Sequence, residues 1–246
     1  MLTFEQVAKK YKGLRFNNIA KSLDDLIKKA EGSDISYLQF SELLVDYEIE
    51  RRNKNRIKLN LQRAKFPQIK KLDEFDFKFQ TTITKKQVWQ LLDFSFIDNR
   101  ENLAFIGPPG VGKTHLAIGI ADKAVEVGYK VFFSSALELV ELLELAELKG
   151  ELKAKIASLL KHDLLVIDEL GYLPMTKQSM YNMFQFVNAC YEYRSLIITT
   201  NKDFANWADF FHEDNVAVPI VDRLIHHSRL FLMGGESYRL RSKIEA

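Results

Sequence analysis

The segment GPPGVGKTHL, residues 107–116, combines residue types that bind phosphate. Its glycines allow the backbone to curl so that N–H groups point at an anion, and a helix that follows adds its positive end. Lys113 can reach the β and γ phosphates of a nucleotide, and Thr114 can offer its hydroxyl to Mg²⁺. A glycine-rich turn without nucleotide is the weaker alternative, because the full G-x-x-x-x-G-K-T pattern is present. The predicted nucleotide-binding residues are Gly107, Pro108, Pro109, Gly110, Val111, Gly112, Lys113, Thr114 and His115.

Two adjacent carboxylates end a second apolar run, LLVIDE. Because side chains alternate along a strand, Asp168 and Glu169 are expected on different sides of its end. One carboxylate can then hold the water shell of Mg²⁺ while the other orients and deprotonates an attacking water, which favours hydrolysis. A chance pair of acids after an apolar run is common. The prediction therefore depends on the position of the pair, which follows the phosphate loop with room for one further strand and its helices.

Two polar residues further along the chain allow two interpretations each. Asn201 ends the apolar run SLIITTN, where an amide can position water and sense the γ phosphate, but asparagine is also a common turn residue. Arg223 lies in VDRLIHHS, within a helix-like segment. It is either a solvated surface charge or an arginine finger that reaches the nucleotide of a neighbouring subunit.

Five short apolar runs must position these residues. The runs at 103–106, 130–134, 164–168, 195–199 and 229–233 alternate with helical patterns, which is typical of an α/β fold with a parallel sheet. Open sheets of this kind bind ligands beyond the carboxyl ends of their strands. The phosphate loop, the acid pair and Asn201 lie at such ends, so the pattern predicts a five-stranded parallel sheet with one site at its edge.

The first 71 residues have a different sequence pattern, which is typical of helices. Apolar residues from Ile19 to Ala30 repeat at helical spacing, and Gly32 is a plausible stop. Ser36 with Gln39 predicts a capping box that opens a long helix, which continues to about residue 65 before Pro67 ends it. We therefore predict a small helical domain over residues 1–71 and an α/β domain over residues 72–246.

Positive charge is concentrated in that long helix. The chain has a net charge of +2, yet nine Lys and Arg residues and no Asp or Glu lie between Arg51 and Lys71. These charges can neutralise DNA phosphates, or they can form an ordinary solvated face on either side of an apolar stripe. The predicted DNA contacts are Arg51, Arg52, Lys54, Arg56, Lys58, Arg63 and Lys65.

Composition excludes several classes of protein. No run approaches the roughly 18 apolar residues of a membrane span, and the N-terminus lacks the apolar region of a signal peptide. We therefore expect a cytoplasmic protein without a membrane partner. Cys190 is the only cysteine, which excludes an internal disulfide and a cysteine-rich zinc site.

Several motifs in register carry a resemblance to a known family. GPPGVGKTHLA, LLVIDELGYLP, TTNKDFANW, VDRLIHHS and GESYRLR occur in an order and spacing similar to the IstB-type AAA+ proteins, the helper ATPases of certain bacterial transposons. DnaC-type helicase loaders are their close relatives. The resemblance covers essentially the whole chain, because the basic helix and the following LDEFDFKFQ resemble the N-terminal region of the family.

The resemblance implies an AAA+ core with little or no C-terminal lid, which uses ATP and Mg²⁺. It implies an oligomer that forms with ATP, captures double-stranded target DNA and recruits a cognate transposase. By position, the nucleotide and metal residues are Lys113, Thr114 and Asp168, and the catalytic residues are Glu169, Asn201 as first sensor, Arg223 as trans-acting finger and Arg239 as second sensor. Arg239 has an alternative role as a structural or DNA-facing residue.

Alternatives from other classes remain at this point. A helicase loader would use the same core but hold a replicative helicase, and a P-loop kinase would make Arg223 and the basic helix incidental. Residues 136–161 predict a helical insert whose Lys149, Lys153 and Lys155 either touch DNA or belong to a solvated, glutamate-rich face, which the sequence favours.

Overall fold

The computed structural model describes residues 3–171, 176–202 and 214–244 of the 246-residue chain, with the side chains of 214–217 and 242–244 left out. The chain divides into two compact units, Met1–Leu59 and Asn60–Ala246. This division falls inside one long helix. The domain boundary predicted from the sequence, between residues 71 and 72, stays a prediction. Among the described residues, no helix is both long enough and apolar enough to cross a membrane.

The first unit is made of helices α1 (Phe4–Gly13), α2 (Asn17–Glu31) and most of α3 (Tyr37–Ala64). The predicted capping box begins α3: the Ser36 hydroxyl accepts the Gln39 N–H at 3.3 Å, and the Gln39 side chain accepts the Ser36 N–H at 2.7 Å. The predicted helix over 36–65 is therefore confirmed.

Helix α2 ends as the sequence predicts, with Gly32 as its C-cap. The apolar face of α2 forms a small core with α3, because Ile19, Leu23 and Leu26 are buried together with Leu44. These residues repeat at helical spacing, so one stripe of α2 faces α3.

One buried carboxylate joins the helices of this unit. Glu48 of α3 is 3% exposed, and its Oε2 accepts the N–H groups of Asn18 at 3.0 Å and Ile19 at 2.9 Å. Its Oε1 accepts from Asn18 Nδ2 at 3.2 Å and from Arg52 Nε at 2.8 Å. Arg52 also donates to the carbonyl of Arg15 at 2.6 Å. Glu48 thus caps the first turn of α2, which has no side-chain cap of its own.

The second unit contains a parallel sheet whose strand order is β2-β3-β4-β1-β5. The five predicted strands are confirmed with small shifts at their ends. They are β1 (Asn102–Ile106), β2 (Val131–Ser135), β3 (Leu164–Leu170), β4 (Ser195–Thr200) and β5 (Ser228–Leu232). Every residue of β1 and β4 is buried, as expected for strands that are covered on both faces.

Helices surround this sheet. They are α4 (Lys85–Gln90), α5 (Ser95–Asp98), α6 (Lys113–Val127), α7 (Ala136–Leu148), α8 (Leu152–Leu159), α9 (Lys177–Cys190), α10 (Asp214–His226) and α11 (Tyr238–Ile244), with short 3-10 turns at Leu72–Glu74 and Leu91–Asp93. The insert between β2 and β3 is helical, as predicted. Beyond β5, the described residues contain only the short helix α11.

Strand β3 contains an irregularity at the edge where the site lies. Ile167 pairs with Ile198 and Leu170 pairs with Thr200, so β3 has one residue more than β4 over this interval. Glu169 takes up the extra length with a left-handed φ of +61°. A bulge of this kind changes the direction of a side chain at a strand end. The strand was predicted to end at residue 168, and it continues to Leu170.

Candidate nucleotide-binding site

The loop between β1 and α6 has the backbone of a phosphate cradle. Gly110 and Gly112 have φ values of +85° and +97°, a region that favours glycine. Helix α6 begins at Lys113 without a side-chain cap, so its first N–H groups can bind an anion. Lys113 Nζ donates to the carbonyls of Gly107 and Pro108, both at 2.8 Å. The lysine ammonium therefore lies over the loop, where phosphates would bind.

The loop is closely enclosed by other segments of the second unit. A Cβ atom at Gly107 would lie 1.9 Å from the carbonyl oxygen of Met233, and one at Gly110 would lie 2.1 Å from Ser237 Oγ. The amide of Tyr238 donates to the Gly110 carbonyl at 3.0 Å. The segment after β5 thus contacts the backbone of the phosphate loop directly.

A cavity of about 390 Å³ lies beside this loop. That volume is within the range of small-molecule and cofactor sites. The cavity brings together the predicted loop residues from Pro109 to His115 with Glu169, Asn201 and Arg239. His115 also contacts the Lys71 carbonyl through Nε2 at 2.8 Å.

Asp168 lies at the phosphate end of this site and is buried. Its Oδ1 accepts hydrogen bonds from the hydroxyls of Thr114 at 2.8 Å and Thr199 at 2.5 Å. Within the described part of the chain, no hydrogen bond reaches its Oδ2. The Oδ2 atom of Asp168 is therefore left to accept a ligand close to the Thr114 hydroxyl. Carboxylate and hydroxyl oxygens are the kind of ligand that Mg²⁺ prefers.

Glu169 differs from Asp168 in exposure. Its side chain is exposed and lines the cavity, whereas Asp168 is buried. The Glu169 N–H donates to the hydroxyl of Thr199 at 2.9 Å. Sequence reasoning missed Thr199. The sequence signal was the pair of hydroxyl residues, Thr199 and Thr200, that directly follows the apolar run at 196–198.

Asn201 follows β4 and lines the same cavity. Its Oδ1 is buried and has no hydrogen-bond partner among the residues that the structure describes. Buried amide oxygens are normally paired, so this atom is available to accept from a water or a ligand group. The role of Asn201 as a water-positioning residue stays a prediction.

Aromatic side chains form one wall of the cavity. Phe75, Phe79 and Tyr238 line it, with Phe75 at 5.3 Å from the His115 ring and Phe79 at 5.4 Å from the Tyr238 ring, measured between ring centroids. Sequence reasoning interpreted LDEFDFKFQ only as a junction. The alternating phenylalanines were the signal for an apolar wall, where a flat base could bind.

Gln80 connects this wall to the loop. It is 3% exposed, and its Nε2 donates to the carbonyls of Val111 at 3.1 Å and Gly234 at 3.0 Å. Its Oε1 accepts from the Thr82 N–H at 3.0 Å. Every polar group of this buried amide is satisfied, which fixes the phosphate loop relative to the end of β5.

The positive charge of Arg239 affects the pKa of Lys113. Burial is the main cause that lowers the pKa of Lys113 below its ordinary value of 10.5; Asp168 raises it, and the Arg239 guanidinium lowers it. The structure therefore places Arg239 near the phosphate end without a separate lid domain among the described residues. Two cations near one phosphate site favour a highly charged anion.

Arg223 lies outside this cavity. It donates from Nη1 to the carbonyl of Pro219 at 3.1 Å, and its guanidinium lies 5.2 Å from the Phe184 ring centroid and 6.0 Å from that of Tyr191. Its side chain is partly buried on α10. The structure thus does not bring Arg223 to the nucleotide site of its own chain, and its role in a neighbouring site stays a prediction.

The predicted DNA contacts on α3 fall into two groups. Arg52 is occupied by Glu48 and the Arg15 carbonyl, and Lys54 pairs with Glu50. The other predicted residues are also exposed: Arg51, Arg56, Lys58 and Arg63 lie on α3, and Lys65 directly follows its last residue. Arg52 therefore has a structural role that the charge pattern alone did not indicate.

Comparison with known proteins gives a consistent family. Residues 9–246 match the family model described as IstB-like ATP binding protein. A protein of Geobacillus stearothermophilus named for ATP binding in insertion sequence IS5376 is 39% identical over 92% of this chain and 90% of its own length. A counterpart named for IS21 in Pseudomonas aeruginosa is 36% identical over 95% of this chain and 88% of its own length.

Solved structures agree on the fold. The DnaC helicase loader has a TM-score of 0.53 and 22% identity, and it matches 60% of this chain and 86% of its own. At that identity the likeness shows the fold alone, which is an AAA+ α/β fold. With a family model that spans nearly the whole sequence, and with the phosphate loop and acid pair at one sheet edge, the chain belongs to the family of IstB-like ATP binding proteins.

Proposed function

We propose that this protein is a Mg²⁺-dependent ATPase that assembles on double-stranded DNA and serves the transposase of an insertion sequence. The proposal depends mainly on the cavity that joins the phosphate loop to Glu169 and Asn201, beside which Asp168 accepts a hydrogen bond from Thr114 of that loop. The printed names of its relatives, ATP-binding proteins of insertion sequences, support the biological setting.

The residues present fit ATP and Mg²⁺. The loop and Lys113 would hold the phosphates, and Thr114 with Asp168 would hold the metal, whose bound charge stabilises phosphoryl transfer. Phe75, Phe79 and Tyr238 would enclose the base. Among the described residues, the Oδ1 of Asn201 and the Oδ2 of Asp168 are acceptor atoms that such a ligand could bind.

The catalytic roles follow from position. Glu169 would accept a proton from an attacking water, because its carboxylate lines the cavity and is not committed to Thr114. Asn201 would orient that water, and Arg239 would respond to the phosphates beside Lys113. Each role is separable by substitution, since the three side chains belong to different elements.

Hydrolysis is tested first with two variants. Lys113→Ala should lose ATP binding, whereas Glu169→Gln should bind ATP and hydrolyse it at least about a hundredfold more slowly. Binding is measured with a fluorescent ATP analogue and hydrolysis by phosphate release. Lys123→Ala, on the same helix but paired with Glu126 on its surface, is the control and should retain both activities.

Equal loss of binding in both variants would contradict the separate roles and make Glu169 a structural residue. Transfer of the γ phosphate to a small molecule, without release of free phosphate, would favour a P-loop kinase instead. Stimulation by DNA would support the proposed ATPase.

Assembly is tested through Arg223. If it completes the site of a neighbour, Arg223→Ala and Glu169→Gln should each hydrolyse poorly, and mixing them should restore activity at interfaces with both parts intact. If the mixture is no more active than either variant while both co-assemble on DNA, then Arg223 does not act in trans.

DNA binding by α3 is tested with exposed residues of the first unit. Reversing Arg56 and Lys58 to Glu should weaken binding uniformly across sequences and flatten its salt dependence. Arg52 is unsuitable because its loss would disturb Glu48. Reversal of Lys28, a surface residue of α2 paired with Asp24, is the matched control. Unchanged DNA affinity after the double reversal would indicate that the charged residues of α3 form an ordinary solvated face.

A second candidate function is a replicative helicase loader, which the fold of DnaC favours. The two are separated by their partners. Capture of the transposase encoded in the same insertion sequence supports the first function, and capture of the replicative helicase instead supports the second.

A further inference from the structure

Thr199 occupies the junction of the two carboxylates. Its hydroxyl donates to Asp168 Oδ1 at 2.5 Å and accepts the N–H of Glu169 at 2.9 Å. The side chain is 1% exposed, so these bonds form away from bulk water. One hydroxyl therefore holds two consecutive residues of the neighbouring strand.

The need for this hydroxyl follows from the bulge in β3. The ladder to β4 is interrupted between Ile167 and Leu170, and Glu169 lies in the left-handed region at φ +61°. A non-glycine residue in this conformation is retained only when its surroundings hold it. The Glu169 N–H bonds a side chain, the Thr199 hydroxyl, at this interruption.

We propose that Thr199 is a positioning residue that sets the direction of the Glu169 carboxylate. The inference rests on the proposed hydrolysis. Through the bond to the Glu169 N–H, the hydroxyl fixes the bulge, and the bulge directs the carboxylate into the cavity that Glu169 lines. Thr199 acts through Glu169 and takes no proton itself, because its own hydrogen is committed to Asp168.

Two substitutions separate the hydroxyl from the shape of the side chain. Thr199→Val keeps the volume and β-branching but removes both hydrogen bonds, whereas Thr199→Ser keeps the hydroxyl. A carboxylate displaced by about 1 Å costs on the order of tenfold to a hundredfold in rate. Thr199→Val should therefore lower kcat at least about tenfold with little change in KM for ATP, and Thr199→Ser should recover most of the rate.

Ser195→Ala is the matched control. Ser195 lies in the same strand, is fully buried, and donates to the carbonyl of Phe96 at 3.0 Å, far from the cavity. Its loss removes a comparable buried hydroxyl, so a reduction in stability is expected without a selective fall in kcat. Thermal unfolding of all variants measures how much of any defect is loss of fold.

The deciding measurement is a double-mutant cycle with Glu169→Gln. If Thr199 acts through Glu169, adding Thr199→Val to Glu169→Gln should slow the residual hydrolysis by less than about twofold. A full tenfold loss in that background would overturn the inference. So would a defect in Thr199→Val that disappears at high Mg²⁺, which would assign the hydroxyl to Asp168 and the metal, or a defect that appears only in KM.

The failure of this inference is distinguishable from failure of the proposed function. A wild-type protein that binds ATP without hydrolysing it would overturn both. Wild-type hydrolysis that is lost in Lys113→Ala but unaffected in Thr199→Val would overturn only the role of Thr199.

Discussion

Two of the buried carboxylates, Glu48 in the first compact unit and Asp168 in the second, have different surroundings. Glu48 accepts four hydrogen bonds, from the backbone of Asn18 and Ile19 and from the side chains of Asn18 and Arg52. Asp168 accepts two, both on Oδ1, from the hydroxyls of Thr114 and Thr199. Glu48 is saturated by the protein, whereas Asp168 keeps acceptor capacity beside a cavity.

The difference separates a structural acid from a functional one. A saturated carboxylate stabilises the fold and has nothing left for a ligand. A partly saturated carboxylate is held in place by two bonds and can still bind a cation or a water. Substitutions at the two positions should therefore affect different measurements.

The largest expected effect is on the stability of the first unit. Glu48→Gln replaces one accepting oxygen by an NH₂ group, which then faces the donors that Glu48 bonds. Loss of one partner in a buried charged network lowers the free energy of unfolding by about 3 kcal/mol. Urea unfolding followed by circular dichroism measures the loss, and limited proteolysis should locate it before Leu59. Glu50→Gln is the control, since Glu50 and Lys54 are both exposed and solvent screens such pairs, so little loss of stability is expected.

If Glu48→Gln unfolds no more easily than Glu50→Gln, the hydrogen-bond count does not distinguish structural acids from others in this chain. The comparison would then fail at its first step.

The second prediction concerns Asp168. Asp168→Asn keeps the size of the side chain and can still accept from Thr114 and Thr199, but it removes the charge available to a cation. Mg²⁺-dependent hydrolysis should fall about a hundredfold or more, while the unfolding midpoint changes little. Phosphate release and thermal unfolding on one preparation provide the two measurements. A large loss of stability with normal hydrolysis would reverse the roles of the two acids.

The third prediction is a pH dependence of the first unit. Burial alone would raise the pKa of Glu48, but the N–H of Ile19, the Arg52 guanidinium and Asn18 lower it below its ordinary value of 4.5. Because the folded pKa is lowered, the stabilisation is present above the ordinary value and is lost as the pH falls through the folded pKa. Urea midpoints measured across this acid range should fall more steeply in the wild type than in Glu48→Gln. Parallel slopes would contradict the prediction.

The smallest expected effect is a shift in the alkaline limb of hydrolysis. Burial lowers the pKa of Lys113, so the ammonium loses its proton at a lower pH than an ordinary lysine. Because kcat/KM reports the free enzyme, it should decline with rising pH below the ordinary value of 10.5. Arg239→Gln removes a second cation and should move this limb to higher pH. If the alkaline limb does not move in Arg239→Gln, the Arg239 guanidinium does not influence the ionisation of Lys113.

The sheet and the phosphate loop could be predicted because their signals are local. Continuous apolar runs predict buried parallel strands, and the glycines of the loop are required by its backbone. The carboxyl ends of such strands meet at one edge, which predicted that Asp168 and Asn201 belong to one site. The capping box at Ser36 is local as well, and it was found.

The parts that were missed depend on contacts between distant segments. Glu48 caps α2 across about thirty residues, and no sequence pattern pairs the two. The wall formed by Phe75 and Phe79 requires the junction to fold back on the loop. The bulge at Glu169 appears only when β3 is paired with β4, so Thr199 was counted as an ordinary strand residue.

The contact between the phosphate loop and the segment after β5 has a consequence for local opening. The N–H of Met233 donates to the Ile106 carbonyl, and the N–H of Tyr238 donates to the Gly110 carbonyl. The Gln80 side chain donates to one carbonyl in each segment, those of Val111 and Gly234. Breaking these bonds exposes both partners at once, so the two segments should exchange their amide hydrogens as one cooperative unit. A ligand that rigidifies the loop would thereby slow exchange in residues 233–238. The nucleotide state would then be readable in the protection of a chain segment far along the sequence.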